Sequence, residues 1–444
     1  MRDIIPANSN PSFLPKVSII MRLTFSIPLL VFALMLPTGM SGCHYNAPQT
    51  QTQTVPSPIN STMSIAASPI VQSSNAPTPT VDSTLLQQSW AAYRQRFIQA
   101  DGRVIDWEAD ARSTSEGQAY AMLRSVMIDD PQTFERTLTW AETNLRRSAP
   151  SDTLWAWKWG QDAQKKWGII DRNFASDADV DAITALILAS RRWNRPDYLK
   201  LAQTKLRDLW ALSVAPIGKQ RYLLPGPRKA FQQPQKLVLN PSYFAPYAFR
   251  LFAQVDRAHD WLSLVDSSYQ VLEQSAALSA VSLPSDWLVL DTETGQFQAV
   301  INAEPIVSRY GFDAYRVWWR LALDAAWFDE PRAKRYLQQH LGALQQQWQS
   351  QQTIPAQFDL RGKPTVTYEA TSQYGALYAA FRLIDPQTAE ALYQQKILPQ
   401  YRQGLWDHES AYYTQNIVWL GLLPSTAVSA SLLQPANVTQ HPHP

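Results

Sequence analysis

One pattern returns again and again between residues 82 and 424: apolar side chains three and four positions apart, each block introduced by a capping residue. Leu86, Trp90, Tyr93 and Phe97 follow Asp82 and Ser83. Ala119, Met122, Leu123, Val126 and Met127 follow Ser113 and Ser115, either of which can serve as the cap. Asp130-Pro131 opens a third block, a cap with proline at the first helical position, and its face runs Phe134, Leu138, Ala141, Leu145. Ile183, Leu186, Ile187 and Ser190 make a fourth block, and Tyr198 to Leu209 a fifth behind Asn194-Arg195-Pro196. Segments 314–328, 332–348, 372–383 and 388–397 read alike. This spacing predicts helices, about a dozen of them. Period-two alternation is confined to one candidate hairpin over 286–300. The fold class is therefore all-α. Helical hairpins in so long a segment must stack as a solenoid or close into a ring. No repeat of fixed period is present, which points to a closed α/α toroid.

The two ends read differently. Arg22 precedes an apolar run, 23–36, and small residues Ser41-Gly42 lead to Cys43, the chain's one cysteine. Together these predict an export signal over 1–43 whose end has the form of a lipobox, with Cys43 as the acylation site; an ordinary signal peptide with an incidental cysteine, or an uncleaved anchor, is the alternative. Met21 offers an alternative start. Residues 44–82 are rich in Ser, Thr, Pro and Gln, and 44–81 contain no Asp, Glu, Lys or Arg. Such a stretch cannot bury enough apolar surface to offset its ordering entropy, so a disordered tether is expected. The folded domain then covers 83–424, and 425–444 form a flexible tail. The expected location is outside the cytoplasm, periplasmic or extracellular, with a membrane contact only through the N-terminal lipid.

Three acidic residues stand at predicted helix starts: Glu116, Asp177 and Asp313. Any one of them taken alone is most simply a cap or a first-turn acid meeting the helix dipole. Jointly they say more. In a ring of helical hairpins the inner helices all start at one end, so acids at several inner starts converge on one mouth. Aromatic residues crowd the same stretches, with Trp155, Trp157, Trp159 and Trp167 ahead of Asp177 and Trp318-Trp319 after Asp313. Carboxylates amid flat apolar rings suit glycoside cleavage, which needs an acid, a base and surfaces for sugar faces. Core packing accounts for at least half of the tryptophans.

Other chemistries fit poorly. A net charge of +2 gives no field that would gather nucleic acid. Asp177, Asp179 and Asp181 have the opening spacing of a calcium loop, but Ala182 and Leu188 occupy the glycine and glutamate positions. The six histidines form no ligand pair, so no metal or cofactor is expected. Neither a Gly-x-Ser-x-Gly elbow nor a phosphate-binding glycine loop occurs.

Five stretches resemble, in order, the landmarks of glycoside hydrolase family 8: Thr114-Ser115-Glu116-Gly117-Gln118-Ala119-Tyr120, Ala175-Ser176-Asp177-Ala178-Asp179, Asn240-Pro241-Ser242-Tyr243, Ser285-Asp286-Trp287 and Phe312-Asp313-Ala314-Tyr315-Arg316. Within that family the chain is most similar to endoglucanases that accompany bacterial cellulose synthases. The resemblance implies an (α/α)6 barrel and an inverting endo-cleavage of β-1,4-glucan, beside a cellulose synthase complex. It implies Glu116 as general acid, Asp313 as general base and Asp177 as the carboxylate that holds the sugar at the cleavage point. Tyr243, Arg316, Trp157 and Tyr120 are the implied substrate-binding residues. Phe312 stands where the family often has tyrosine. Mixed-linkage glucan, xylan or chitosan are the competing substrates, and a non-catalytic glycan-binding barrel is the competing role.

One tension remains. A general acid must be protonated when substrate arrives, whereas a helix start favours its ionised form. Burial and a neighbouring carboxylate, Asp177, must raise the pKa of Glu116 for the role to work. The inverting geometry predicts carboxyl groups about 6.5–9.5 Å apart.

Overall fold

The computed structural model describes residues 83–148, 151–301, 303 and 306–434. The expected signal, Cys43, the tether through Asp82 and residues 435–444 lie outside the described residues.

The helices run α1 (Ser83–Phe97), α2 (Ser115–Met127), α3 (Pro131–Asn144), α4 (Ser176–Arg192), α5 (Pro196–Ser213), the single turn α6 (Arg228–Phe231), α7 (Pro246–Val255) and α8 (Trp261–Ala277). After a long irregular stretch follow α9 (Tyr315–Phe328), α10 (Pro331–His340), α11 (Gly342–Gln351), α12 (Thr371–Ile384), α13 (Pro386–Leu392), α14 (Tyr412–Leu422) and the turn α15 (Ala430–Leu433). Six form an inner ring: α2 packs on α4, α4 on α7, α7 on α9, α9 on α12, α12 on α14, and α14 closes on α2. Each has an outer partner, respectively α3, α5, α8, α10, α13 and α1. This is an (α/α)6 barrel.

Burial explains which helix goes where. In α2 every residue but Glu116 is buried, in α4 the run from Ser176 to Ser190 is buried, and α14 is buried throughout. A helix enclosed on all sides needs no polar face. The outer helix α3 buries only Thr133, Phe134, Thr137, Leu138, Trp140 and Ala141, a single stripe. Between α12 and α14 the backbones nearly touch. A Cβ on Gly375 would lie 2.6 Å from Val418 Cα, and one on Gly421 would lie 2.0 Å from the Gly375 carbonyl oxygen.

Short antiparallel strands fill the connections. Ser113–Thr114 pairs with Lys158–Gln161, which pairs with Trp167–Asp171. The expected hairpin is present as Leu288–Asp291 with Phe297–Gln298, in the register Leu290 opposite Phe297. Lys236–Leu239 pairs on its other side, an element the sequence reading did not contain.

Three local expectations are corrected. The cap of α2 is Thr114, whose hydroxyl accepts from Gly117 N at 3.0 Å, rather than Ser113 or Ser115. The segment 332–348 is two helices, α10 and α11, parted at Leu341, where Gly342 weakens helix formation and Leu341 turns into the core. The chain after Pro424, expected to be loose, is packed as far as Gln434. Val428, Leu432 and Leu433 are buried, and the carbonyl of Leu432 accepts from Arg191 Nη1 at 2.7 Å.

Candidate active site

Glu116 and Asp177 lie in the first turns of α2 and α4, and Asp313 lies in the turn that leads into α9. All three are inner helices, so the starts share one mouth. Thr114 caps α2, and the Glu116 carboxylate meets side chains from other inner helices. The Ser115 N–H donates to the Trp157 carbonyl at 3.1 Å, tying the segment that carries Trp157 to the start of α2.

Arg316, in the first turn of α9, joins the three acids. Its Nη1 donates to Glu116 Oε2 at 2.9 Å and to Asp177 Oδ2 at 2.7 Å. Its Nη2 donates to Asp313 Oδ1 at 2.6 Å and to Ser242 Oγ at 3.0 Å. The guanidinium is enclosed, and the Tyr243 ring lies under it with 5.1 Å from the Arg316 Cζ to the ring centroid. The Tyr412 hydroxyl donates to Glu116 Oε1, and Asn240 Nδ2 donates to Asp313 Oδ2 at 3.1 Å. Accessibility separates the acids: the side chains of Asp313 and Glu116 are 33% and 21% exposed, that of Asp177 4%. Two carboxylates face the opening and the third lies at its floor.

Burial pushes the Asp177 carboxyl up to about 7, against the pull of Arg316 and with the Glu116 charge adding to the rise. Asp177 and Glu116 share one nitrogen of one guanidinium, so their protons come off as a coupled pair. Of the three carboxylates around this one cation, the most enclosed, Asp177, is the one whose hold on a proton is raised.

The structure places the remaining expected residues as follows. Tyr243 packs on Arg316. Tyr120, one turn beyond Glu116 on α2, is fully buried, and the charge of Glu116 adds to the rise that burial causes in its hydroxyl pKa. Trp157 is buried with Lys158 Nζ 5.7 Å from its ring centroid. The Tyr243 and Tyr120 hydroxyls and the Trp157 indole N–H are buried without a hydrogen-bond partner in the protein. Among the other tryptophans, Trp155, Trp318 and Trp319 belong to the core. Trp159 and Trp167 stack on each other 5.0 Å apart on the strand pair beside Ser113–Thr114. Among the described residues no group of three or more His, Cys, Asp or Glu could hold a metal ion. No described helix is long and apolar enough to cross a membrane.

Sequence reasoning missed Asn240, Ser242 and Tyr412. The first two flank Pro241 in the same stretch as Tyr243, where only the tyrosine was singled out. Tyr412 starts α14, the last inner helix, and the rule that inner starts share a mouth applies to it as it does to the acids.

The barrel and its carboxylate cluster define the class, and comparison with known proteins gives the family. The chain belongs to the glycosyl hydrolases family 8, whose sequence profile matches residues 63–426. It is 38% identical over 253 residues to an endoglucanase of Xanthomonas axonopodis pv. citri, a match covering 56% of this chain and 62% of the relative. It is 30% identical over 234 residues to an endoglucanase of Escherichia coli K12, covering 52% and 60%. The chain thus spans about three-fifths of the length of these curated relatives. Among solved structures it is similar to a family 8 endoglucanase from Klebsiella pneumoniae, with a TM-score of 0.60 and 26% identity over 75% of this chain and 98% of the other.

Proposed function

We propose that this chain is an inverting endo-β-1,4-glucanase acting on cellulose-type glucan. One observation carries the reading: three carboxylates from three inner helices meet on Arg316 at one mouth, with the two more accessible ones on separate nitrogens. Glu116 and Asp313 accept from different nitrogens of the Arg316 guanidinium, and the inverting reading calls for about 6.5–9.5 Å between their carboxyl groups, where a retaining pair would stand about 5–5.5 Å apart. Glu116 gives its proton to the glycosidic oxygen as the C1–O bond breaks. Asp313 takes a proton from a water that attacks C1 on the opposite face, so the new reducing end is the α-anomer. Asp177 holds the sugar at the cleavage point. It shares Arg316 Nη1 with Glu116, and the proton its buried carboxyl retains up to about 7 lies one guanidinium nitrogen from the acid. The Tyr243 and Tyr120 hydroxyls and the Trp157 N–H have no protein partner but are closed off from solvent, so they reach a sugar only where the site shifts on binding. Similarity to proteins named endoglucanase favours β-1,4-glucan over xylan or chitosan.

The test is proton NMR of the protein freshly mixed with cellohexaose. We expect α-anomeric reducing ends to appear first, and their loss in Asp313→Asn by about three orders of magnitude or more. Initial β-anomers would overturn inversion, and no cleavage would overturn the substrate.

The protein is exported, lipid-anchored through Cys43, and works in the periplasm or outside the cell beside a cellulose synthase complex. Arg22, the apolar run 23–36 and Ser41-Gly42-Cys43 support the anchor. Labelling with a radioactive fatty acid in cells should mark the protein and fail in Cys43→Ser. An unlabelled wild-type protein would refute acylation.

A further inference from the structure

We propose that Asp286 is a positioning residue for Asp313: it grips the turn that presents the base, and residue 311 is glycine to make room for it. The inference rests on the assignment of Asp313 given above. Asp286 is buried just ahead of the strand Leu288–Asp291. Its own N–H donates to the Arg309 carbonyl at 2.7 Å, which fixes it to the segment entering the turn. Its Oδ1 accepts from the Ala314 N–H at 2.9 Å, at the far end of the same turn. Its Oδ2 faces Gly311, where an added Cβ would sit 2.6 Å away, closer than packed atoms come. One side chain therefore touches the turn at 311 and 314, and Asp313 lies between.

The surroundings say which property of Asp286 matters. The charged groups facing it are Asp313, Arg316 and Arg309, whose Nε is 3.7 Å from Oδ2, and the hydroxyls of Tyr310, Tyr315 and Tyr413 complete the shell. Burial, reinforced by the Asp313 charge, pushes Asp286 up to about 8. Near neutral pH it thus carries a proton and puts no second negative charge beside the base. The turn needs an acceptor for one amide and a shape that fits over a glycine. An amide side chain offers both, whereas a methyl offers neither. This separates a positioning role from one that needs the charge.

The experiment measures kcat and KM on cellohexaose for the full chain, Asp286→Asn, Asp286→Ala, Gly311→Ala and Asp313→Asn. A turn displaced by an ångström costs about a hundredfold in rate, so Asp286→Ala and Gly311→Ala should lose that much kcat with KM within about threefold. Asp286→Asn should restore kcat to within about threefold of wild type. Gly311→Ala should cost little further in the Asp286→Ala background, because the clash partner is gone. If Asp286→Ala fails to fold, Gly311→Ala, read against Asp286→Asn, still decides. Wild-type kcat in Asp286→Ala, equal losses in the Asn and Ala variants, or a loss confined to KM would each overturn the inference. Those results alongside an inactive Asp313→Asn leave the functional reading standing. An active Asp313→Asn, or a wild type that does not cleave, removes the assignment of the base and this inference with it.

Discussion

At the scale of single residues, the site is poor in positive charge. Arg316 answers three carboxylates, and below it Arg320 is spent on Asp181, Nη1 to Oδ1 and Nη2 to Oδ2 at 2.8 Å each. Asp179, between the two aspartates on α4, faces another way. Its Oδ1 accepts from Trp155 N at 3.3 Å and its Oδ2 is buried without a partner. Burial pushes Asp179 up to about 7, with Lys205 opposing. The folded state therefore keeps a proton that the unfolded state gives up near 3.8, its ordinary value. Protons bound only by the folded form make stability fall as pH rises, here from about 4 to about 7. Asp179→Asn removes that penalty and leaves Lys205 with Glu142, 2.8 Å away. The variant should be more stable than wild type at pH 7 by roughly 4 kcal/mol, and the two should converge at pH 4. Thermal melts across that range check it, and an equal difference at both pH values would refute the titration argument.

At the scale of elements, the barrel depends on how closely inner helices approach. Gly375 and Gly421 set the α12–α14 contact, where each Cβ position is already occupied by the neighbouring backbone. Gly375→Ala must push the helices apart and should cost about 1–3 kcal/mol, read as a lower denaturant midpoint at unchanged slope. A midpoint equal to wild type would mean that the helices part without cost. The same packing shows why some helices were hard to read. The α14 sequence, Tyr412 to Leu422, has no charged residue and is buried all round, so its apolar positions show no period. The helix α3 was easy, because Asp130 caps it, accepting from Thr133 N at 3.0 Å, and its far face is solvated. The helix α8 also had its signal, Asp260 accepting from Ser263 N at 3.2 Å, in a stretch not singled out.

At the scale of the whole molecule, a ring was legible because many capped helices without a fixed repeat have few ways to bury their apolar faces. That acids at inner starts would gather was legible for the same reason. What each acid touches was not. Arg316 was expected to support the sugar site, yet whether it reaches one carboxylate or three depends on distances across the lumen, which no local pattern encodes. Nor does the spacing of Asp286 from Asp313 in the sequence announce the grip through Ala314. The sequence repeats an interval of four on both sides, Asp177 with Asp181 and Arg316 with Arg320, and the folded chain matches them as two rungs. Only knowing that α4 faces α9 past α7 makes that repeat meaningful.

Those rungs tie α4 to α9 at two depths. The upper one, Asp177 to Arg316, lies at the floor of the mouth beside the two more accessible carboxylates. The lower one, Asp181 to Arg320 with Tyr247 donated to at 2.9 Å, lies one helical turn deeper and out of a ligand's reach. The same two helices are thus fastened twice, once beside the mouth and once in the sealed interior.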